Sequence, residues 1–583
     1  MRCDNSRKSG GDNTLTLSPC NPSGPAGTPR HLRWVVLATL GICAFLYVWM
    51  LGAEPTIGDE AYHFRRATVH AKVPWPGLRT THDPIYPDSE LCAIRYWDAS
   101  GWHIVLAQVF RGMGRPSFQA AQAYQALFAF ALGLFAYLAG RELYGNAGGW
   151  WAWVLTMTMP INMVFSMLLY MEVPVAAATA AAVYSLLRRK PLGFGLALAA
   201  MFYLKMATAM MLTPLLILAA FAKIGDTWRR RVQRTGLALA VALLVLMPDF
   251  VWRTEHFGSP ILLRDSFAVF QTPVLMAAMV PSKQAAIAQN LFDPEVAPMN
   301  FGIPGLVALL VTLVWSVVGL VRTAIGILQS ARSAGLRETL RSLGDRIPAN
   351  IAVAAVPLVI YTTAYLILLQ GAYDARYLHP TLLFVALLGG GLLARAKPLA
   401  YKGRRRWWVR AGLAAMFLAM IAQVASVPPY VRGRRLLPPS VAAGFEWIKA
   451  NVASGDRILY PEFNLATITE RPILWAAIHP RYLFTVPEPE QVRILHFRDV
   501  RYIAIHPTRF VERADPAVEP IGVPVPWARS LRTLPYMTQV YPEQACEIGA
   551  PNFIVYRIEY DKVPSDWLTR TLPEDPLSGV NRQ

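Results

Sequence analysis

The fold is decided by the stretch WVVLATLGICAFLYVWMLGA at residues 34–53 and by EPTIGDEAYHFR at residues 54–65, which follows it. The first stretch carries no charge, and about 20 apolar residues suffice for a helix to cross a bilayer. It is too long for the core of a signal peptide, and no small-residue cleavage site follows it. We therefore expect an uncleaved anchor, preceded by a disordered cytoplasmic tail at residues 1–30.

Similar apolar runs recur up to about residue 430. Of the 583 residues, 54% are hydrophobic and only 16% are charged, against roughly 25% charged residues in an ordinary soluble protein. We predict an all-α polytopic membrane domain over residues 31–430 with about eleven transmembrane helices. The candidate spans are 34–53, 119–140, 148–169, 171–187, 192–204, 206–222, 236–252, 303–325, 350–370, 378–395 and 411–428.

The net charge of +19 follows from where the basic residues lie. Arginine and lysine cluster near 30–33, 188–190, 229–234, 332–346 and 402–406, beside or between the apolar runs. If the N-terminus is cytoplasmic, alternating spans put every cluster in the cytoplasm, as the positive-inside rule expects. We expect membrane lipids and no nucleic acid as partners. We place the protein in the inner (plasma) membrane, although the endoplasmic reticulum would give the same topology.

This topology puts two long loops, 54–118 and 253–302, on the outer face together with the C-terminus. A helix that lies along the membrane surface is predicted at Gly101–Met113. Cys92 and Cys546 both fall on the outer side, and whether they form a disulfide stays open.

A small α/β soluble extracytoplasmic domain is predicted at residues 440–583, after a linker at Pro428–Pro439. We interpret it as an accessory domain that covers the outer face. Its predicted features are a helix capped by Ser440 and strands at Arg457–Tyr460, Tyr502–Ile505 and Phe553–Ile558.

The residues best suited to chemistry come directly after the first span. Asp59 and Glu60 are adjacent carboxylates at the membrane surface, where charge is costly. They are either functional or a helix start, because acidic residues favour the positive end of a helix dipole. Aromatic, acidic and histidine side chains in the loops suit sugar binding, or else form an interfacial aromatic belt. The candidate sugar- or acceptor-binding residues are Tyr62, His82, Asp83, Trp97, Asp98, His103 and Tyr377.

Ionisable residues at membrane depth are functional candidates by default. Glu172 lies at the predicted outer boundary between two spans, and Lys205 interrupts an apolar hairpin. Arg376, in the predicted outer turn 371–377, suits a bidentate bond to phosphate, with snorkelling to the interface as the alternative. No cysteine pair has metal-ligand spacing, and we expect neither a metal nor another cofactor.

Together with the topology, these motifs resemble the GT-C superfamily of polytopic glycosyltransferases. The resemblance rests on Asp59, Glu60, Tyr62 and His63, on Arg376-Tyr377-Leu378-x-Pro380, and on His256-Phe257-Gly258-Ser259-Pro260. Members include protein O-mannosyltransferases, the lipid A aminoarabinose transferase and dolichyl-phosphoglucose glucosyltransferases. The Asp-Glu-x-x-His spacing is closest to the last group. The second acidic motif of the protein mannosyltransferases is not obvious here, and Glu172 is only a candidate for it.

The resemblance implies transfer of a sugar from a polyprenyl-phosphate carrier to a lipid, glycan or protein acceptor, by direct displacement with inversion. Asp59 is then the base for the acceptor hydroxyl, with Glu60 or Glu172 orienting the acceptor or the base. The phosphate leaving group needs cations, and the candidates are Lys205, Arg376 and His63.

Two other functions stay open. An O-antigen ligase or polymerase would carry prominent arginines in a large late loop. A lipid or sugar transporter would show internal repeats.

Overall fold

The computed structural model is mainly helical and ends in a small mixed sheet. It describes residues 30–51, 58–72, 101–221, 227–257, 302–335, 347–367, 378–396, 404–462, 464–475, 483, 487–506, 510–511, 523–544 and 552–569. Outside these ranges lie residues 1–29 of the predicted N-terminal tail, about half of the predicted outer loop 54–118, most of the predicted outer loop 253–302, and His82, Asp83, Cys92, Trp97, Asp98, Arg376, Tyr377 and Cys546.

The helices that precede the C-terminal domain follow the apolar runs. They are α1 Arg30–Met50, α2 Gly58–Lys72, α3 Gly101–Met113, α4 Phe118–Thr158, α5 Pro160–Met167, α6 Glu172–Leu187, α7 Pro191–Leu204, α8 Met206–Ala220, α9 Trp228–Phe257, α10 Gly302–Ala334, α11 Val356–Ile367, α12 Thr381–Ala396 and α13 Arg404–Arg435. A π-helical turn, Ile351–Ala355, leads into α11.

The structure confirms a mainly helical, apolar region but not the number of eleven spans. Within the described residues, three helices are long and apolar enough to cross a membrane: Phe118–Thr158, Trp228–Val251 and Gly305–Ser333. The bent pair α5 and α6 would be a fourth, and five shorter apolar helices accompany them. The five shorter helices have 10–17 residues and fall below the 18 residues required of a span here. Lys205 separates α7 from α8, and residues 168–171 separate α5 from α6.

Helix α4 reverses direction at Gly145, so its 41 residues form two arms. A methyl group added to Gly133 would lie 2.8 Å from the sulfur of Met157, and one added to Gly140 would lie 3.0 Å from Cβ of Ala152. In a straight helix, residues twelve positions apart are about 18 Å apart. The reversal needs the φ of 77° at Gly145, which is costly for residues with a Cβ atom.

Replacing Gly145 with alanine is expected to lower the free energy of unfolding by about 1–2 kcal/mol, because alanine is strained at this φ. The added methyl group meets no atom within 4 Å, so strain is the only cost. Gly236, in α9, also has open space around it, and alanine there should stabilise the helix by up to about 1 kcal/mol. Thermal unfolding in detergent measures the stability of both variants. If the unfolding midpoints of both variants moved in the same direction, the reversal of α4 at Gly145 would be contradicted.

Helices α6 and α12 both pack against α4. The packing of α12 is close at Gly390, where an added methyl group would lie 2.8 Å from the backbone of Gly148 and Ala152. Small residues allow such close approach between membrane helices. Both helices begin near candidate residues, with Glu172 at the start of α6 and His379 just before α12.

The C-terminal domain holds a five-stranded sheet in the order β2-β1-β3-β7-β6. Strands β1 and β3 pair in parallel, and β7 is antiparallel to both β3 and β6. The elements are α14 Pro439–Asn451, β1 Arg457–Tyr460, α15 Asn464–Thr469, β2 Ile473–Trp475, α16 Glu488–Phe497, β3 Val500–Ile505, β4 Phe510–Val511, β5 Val523–Pro524, α17 Val525–Ser530, β6 Met537–Tyr541, β7 Ile554–Ile558 and α18 Ser565–Thr569.

Side chains alternate along these strands and build two cores. Ile458 and Tyr460 pack with α14 on one face, whereas Leu459 packs with α16 on the other. The three predicted strands match β1, β3 and β7 within two residues at each end.

Two predicted boundaries of this domain are wrong. Helix α14 begins at Pro439 after Pro438, so Ser440 lies inside its first turn and is not the cap. The predicted linker Pro428–Pro439 is mostly helix, because α13 continues through Pro428 and Pro429 to Arg435. Proline in a membrane helix is tolerated where neighbouring groups satisfy the backbone.

Candidate functional site

Helix α2 lies between the helical region and the C-terminal domain. It begins one residue before Asp59, so this residue and Glu60 stand in its first turn. Tyr62 is buried among Phe445 and Tyr460 of the C-terminal domain. The hydroxyl of Thr467 in α15 donates to the carbonyl oxygen of Ala61 at 3.2 Å. The C-terminal domain therefore contacts the turn that carries the acidic pair.

The Glu60 side chain is fully buried and forms an ion pair with Arg435, at the end of α13. Arg435 donates from Nε to Oε2 at 3.0 Å and from Nη2 to Oε1 at 2.6 Å. Its Nη2 also donates to the carbonyl oxygen of Met167 at 2.9 Å, and the Leu169 amide donates to Glu60 Oε1 at 3.3 Å. One bidentate pair thus joins α2, α13 and the break between α5 and α6.

Burial raises the pKa of the Glu60 carboxyl, and the Arg435 charge with its hydrogen bonds acts in the opposite direction. Helix α2 is too polar to be a membrane span, which agrees with a position at the membrane surface. A buried carboxylate held by two guanidinium bonds and a backbone amide has a full set of partners. This arrangement favours a positioning role for Glu60 in the first turn of α2.

A second group of side chains joins α2 to α3. Nδ1 of His63 and Nε2 of His103 are 2.9 Å apart, and both rings are buried. The His63 ring also contacts Tyr170, with 6.3 Å between ring centroids. Because neutral imidazole has one donor and one acceptor nitrogen, this pair can pass or share a proton.

The α3 helix is held in place by Trp102 and Gln125. Trp102 Nε1 donates to Gln125 Oε1 at 3.1 Å, and Gln125 Nε2 donates to the carbonyl oxygens of Phe165 and Tyr170 at 2.9 and 2.7 Å. The backbone that flanks the α5–α6 break is therefore tied to α3 as well as to α2.

The third group lies just beyond that break. Lys205 Nζ is 2.5 Å from Glu172 Oε1, and Glu172 is buried at the first turn of α6. His379 is buried within electrostatic range of both groups, and its ring contacts Phe165. Lys205 has an extended backbone and lies at the break between α7 and α8. Such a cation is suited to hold an anionic ligand.

The chain is similar to one protein family in sequence and to several solved membrane proteins in structure. The family model for dolichyl-phosphate-mannose-protein mannosyltransferase matches residues 103–252. The apo oligosaccharyltransferase of Archaeoglobus fulgidus aligns with a TM-score of 0.54 at 12% identity, covering 83% of this chain and 70% of that chain. ArnT from Cupriavidus metallidurans bound to undecaprenyl phosphate aligns with a TM-score of 0.52 at 12% identity, covering 90% of this chain and 98% of that chain. A search of curated proteins gave no match.

The chain has the GT-C fold. This confirms the resemblance to GT-C glycosyltransferases inferred from the sequence. The family match and the shared fold together support a glycosyltransferase. They leave the acceptor and the mechanism open.

Within the GT-C fold, the structure brings together part of the predicted site. Residues Glu60, Tyr62, His63, His103, Glu172 and Lys205 lie around the α5–α6 break, and Asp59 stands in the same helical turn as Glu60. The other predicted residues, His82, Asp83, Trp97, Asp98, Arg376 and Tyr377, fall outside the described ranges. Among the described residues, no group of three or more His, Cys, Asp and Glu side chains could hold a metal ion.

Sequence reasoning missed Arg435, Gln125 and His379. Arg435 had a usable signal: it belongs to the run Arg432-Gly433-Arg434-Arg435, which the predicted topology puts on the outer side. Basic residues are disfavoured there by the positive-inside rule, so such a cluster calls for a specific partner. Gln125 and His379 had no comparable signal, since a single polar residue near an apolar run is common.

Proposed function

We propose that the protein transfers a sugar from a polyprenyl-phosphate carrier to a hydroxyl acceptor, on the membrane face where the C-terminal domain lies. The observation that carries the proposal is the attachment of the first turn of α2 to the α5–α6 break by Glu60 and Arg435. This puts the turn with Asp59 beside the break that leads into Glu172, and Glu172 in turn contacts Lys205. An acid and a cation held on one rigid framework suit attack on a phosphate-linked sugar. The GT-C neighbour ArnT, which was solved with undecaprenyl phosphate, supports a carrier of this class.

The proposed reaction is a single displacement. The acceptor oxygen forms a bond to the anomeric carbon while its proton passes to the carboxylate of Asp59. The bond between that carbon and the phosphate oxygen breaks, and polyprenyl phosphate leaves with the electron pair. The anomeric configuration is inverted. The acceptor is a lipid, a glycan or a protein.

Lys205 is the described cation best placed for the phosphate. An ammonium has three N–H donors, so it can keep its bond to Glu172 while it binds a phosphate oxygen. Glu172 then fixes the ammonium in position, and His63 and Arg376 remain further candidates. A positioned cation stabilises the charge that develops on the leaving phosphate.

Replacing Lys205 with methionine is expected to lower kcat for transfer by about a hundredfold to a thousandfold, as loss of one charge-stabilising donor does elsewhere. Lys190, at the opposite end of α7, is exposed and provides a matched control, Lys190→Met. Initial rates of both variants with a saturating donor measure the effect. Equal rates for the two variants would remove Lys205 from the reaction.

The experiment that tests the function uses the protein in lipid nanodiscs with radiolabelled polyprenyl-phosphate sugars. Crude lipid, glycan and protein fractions are offered as acceptors in separate reactions. The expected result is label transferred into one fraction, with release of polyprenyl phosphate. The proposal would be contradicted if the labelled donor stayed intact with every fraction. The protein used must show a cooperative unfolding transition, so that the absence of transfer is not due to unfolded protein.

A further inference from the structure

A cavity of about 990 Å³ opens between α10 and the π-helical turn that precedes α11. Its wall is mainly apolar and includes Trp315 and Ile351. The cavity is at the upper end of the usual range for small-molecule sites, about 300–1,000 Å³. Val314 of α10, which also lines the cavity, is exposed, as expected for a helix that faces lipid. The cavity therefore opens towards acyl chains.

Two arginines, Arg322 of α10 and Arg395 of α12, line the same cavity. Arg395 stacks on the ring of Tyr144, at 5.7 Å from guanidinium carbon to centroid. Within the described chain, neither guanidinium forms an ion pair with a carboxylate. Two positive charges that have no carboxylate partner in the described chain, at an apolar cavity, match an anionic headgroup with acyl chains.

The cavity is separate from the candidate active site. His379 lies just before α12, beside Glu172 and Lys205, whereas Arg395 is near the other end of that helix. Fourteen helical steps from Thr381 to Arg395 give about 21 Å, most of the thickness of a bilayer core of about 30 Å. The two arginines therefore face the leaflet opposite to the candidate site.

We infer that this cavity binds an anionic phospholipid of that opposite leaflet, with Arg322 and Arg395 holding the headgroup phosphate and the apolar wall holding an acyl chain. Binding of this lipid does not depend on sugar transfer. Bound lipid would fill the space between α10 and the helices behind it, and so stabilise their packing.

Native mass spectrometry with equal amounts of phosphatidylglycerol and phosphatidylcholine of matched chains tests the site. The wild type is expected to retain phosphatidylglycerol preferentially. The double variant Arg322→Gln/Arg395→Gln is expected to bind it roughly thirtyfold more weakly, on the usual strength of two basic residues at a lipid surface. Arg332→Gln is the control, because this exposed arginine is on α10 but outside the cavity wall.

A second variant tests the apolar wall without changing charge. Gly326 lines the cavity, and a Cβ atom added to it would meet no atom within 4 Å, so Gly326→Leu adds an apolar side chain at the cavity without a clash at its first carbon. It is expected to reduce retention of phosphatidylglycerol while the unfolding midpoint in detergent does not fall, since glycine is disfavoured inside a helix. Equal retention of both lipids by the wild type, or unchanged retention in both variants, would overturn the inference. Displacement by equimolar undecaprenyl phosphate would also overturn it, since the cavity would then belong to the donor.

Discussion

Replacing Arg435 with glutamine is expected to lower the free energy of unfolding by about 3–5 kcal/mol. The variant leaves the Glu60 carboxylate buried without its bidentate partner, and it also removes the donor to the Met167 carbonyl. Glu60 and Met167 are both buried, so hydration can compensate little for either loss. Thermal unfolding of the purified protein, followed by intrinsic fluorescence, measures the effect.

The matched control is Arg432→Gln on the same helix. Arg432 is exposed; its guanidinium donates to the carbonyl oxygen of Trp49 and lies over the Trp49 ring. Its loss is expected to cost at most about 1 kcal/mol, as for other exposed contacts. The double variant Glu60→Gln/Arg435→Met removes both charges and should recover part of the stability lost in Arg435→Gln. Equal midpoints for Arg435→Gln and Arg432→Gln would show that the buried pair contributes nothing to stability.

The sequence was informative where one physical rule acts over many residues. The apolar helices and the strands of the C-terminal domain both follow from burial and periodicity. The helix at Gly101–Met113 was predicted with the bounds that the structure shows. These features depend on local composition, which a single sequence displays in full.

Contacts between distant residues were not predictable in the same way. The partner of Glu60 lies 375 residues away, and the choice of Arg435 over its basic neighbours depends on the angle at which α13 arrives. The way in which consecutive apolar helices meet was not predictable either, since the reversal at Gly145 and the extended backbone at Lys205 set their directions and neither is visible in the separate apolar runs.

Replacing Asp59 with asparagine is expected to reduce sugar transfer by a factor of about 10² to 10⁴, the usual contribution of a general base. Asparagine has nearly the same shape as aspartate and also suits the first turn of a helix, so folding should be preserved. The amide cannot accept the proton of the acceptor hydroxyl, so kcat should fall while the KM for the donor changes little. Initial rates over a range of donor concentrations, with a thermal midpoint for each preparation, measure both quantities.

Asp561→Asn, which changes an exposed aspartate of the C-terminal domain, is the control for a lost negative charge. Glu60→Gln separates the base from the residue that positions its helical turn. It should lower the unfolding midpoint, because it weakens a buried ion pair, whereas Asp59→Asn should leave that midpoint unchanged. Full transfer by Asp59→Asn would remove this residue from the mechanism and leave Glu172 as the acid to test, since Glu172 already contacts the cation proposed for the phosphate. Loss of transfer with an unchanged unfolding midpoint would instead identify Asp59 as the group that accepts the proton of the acceptor hydroxyl. The Glu60–Arg435 ion pair would then serve to hold the first turn of α2, and Asp59 with it, in place.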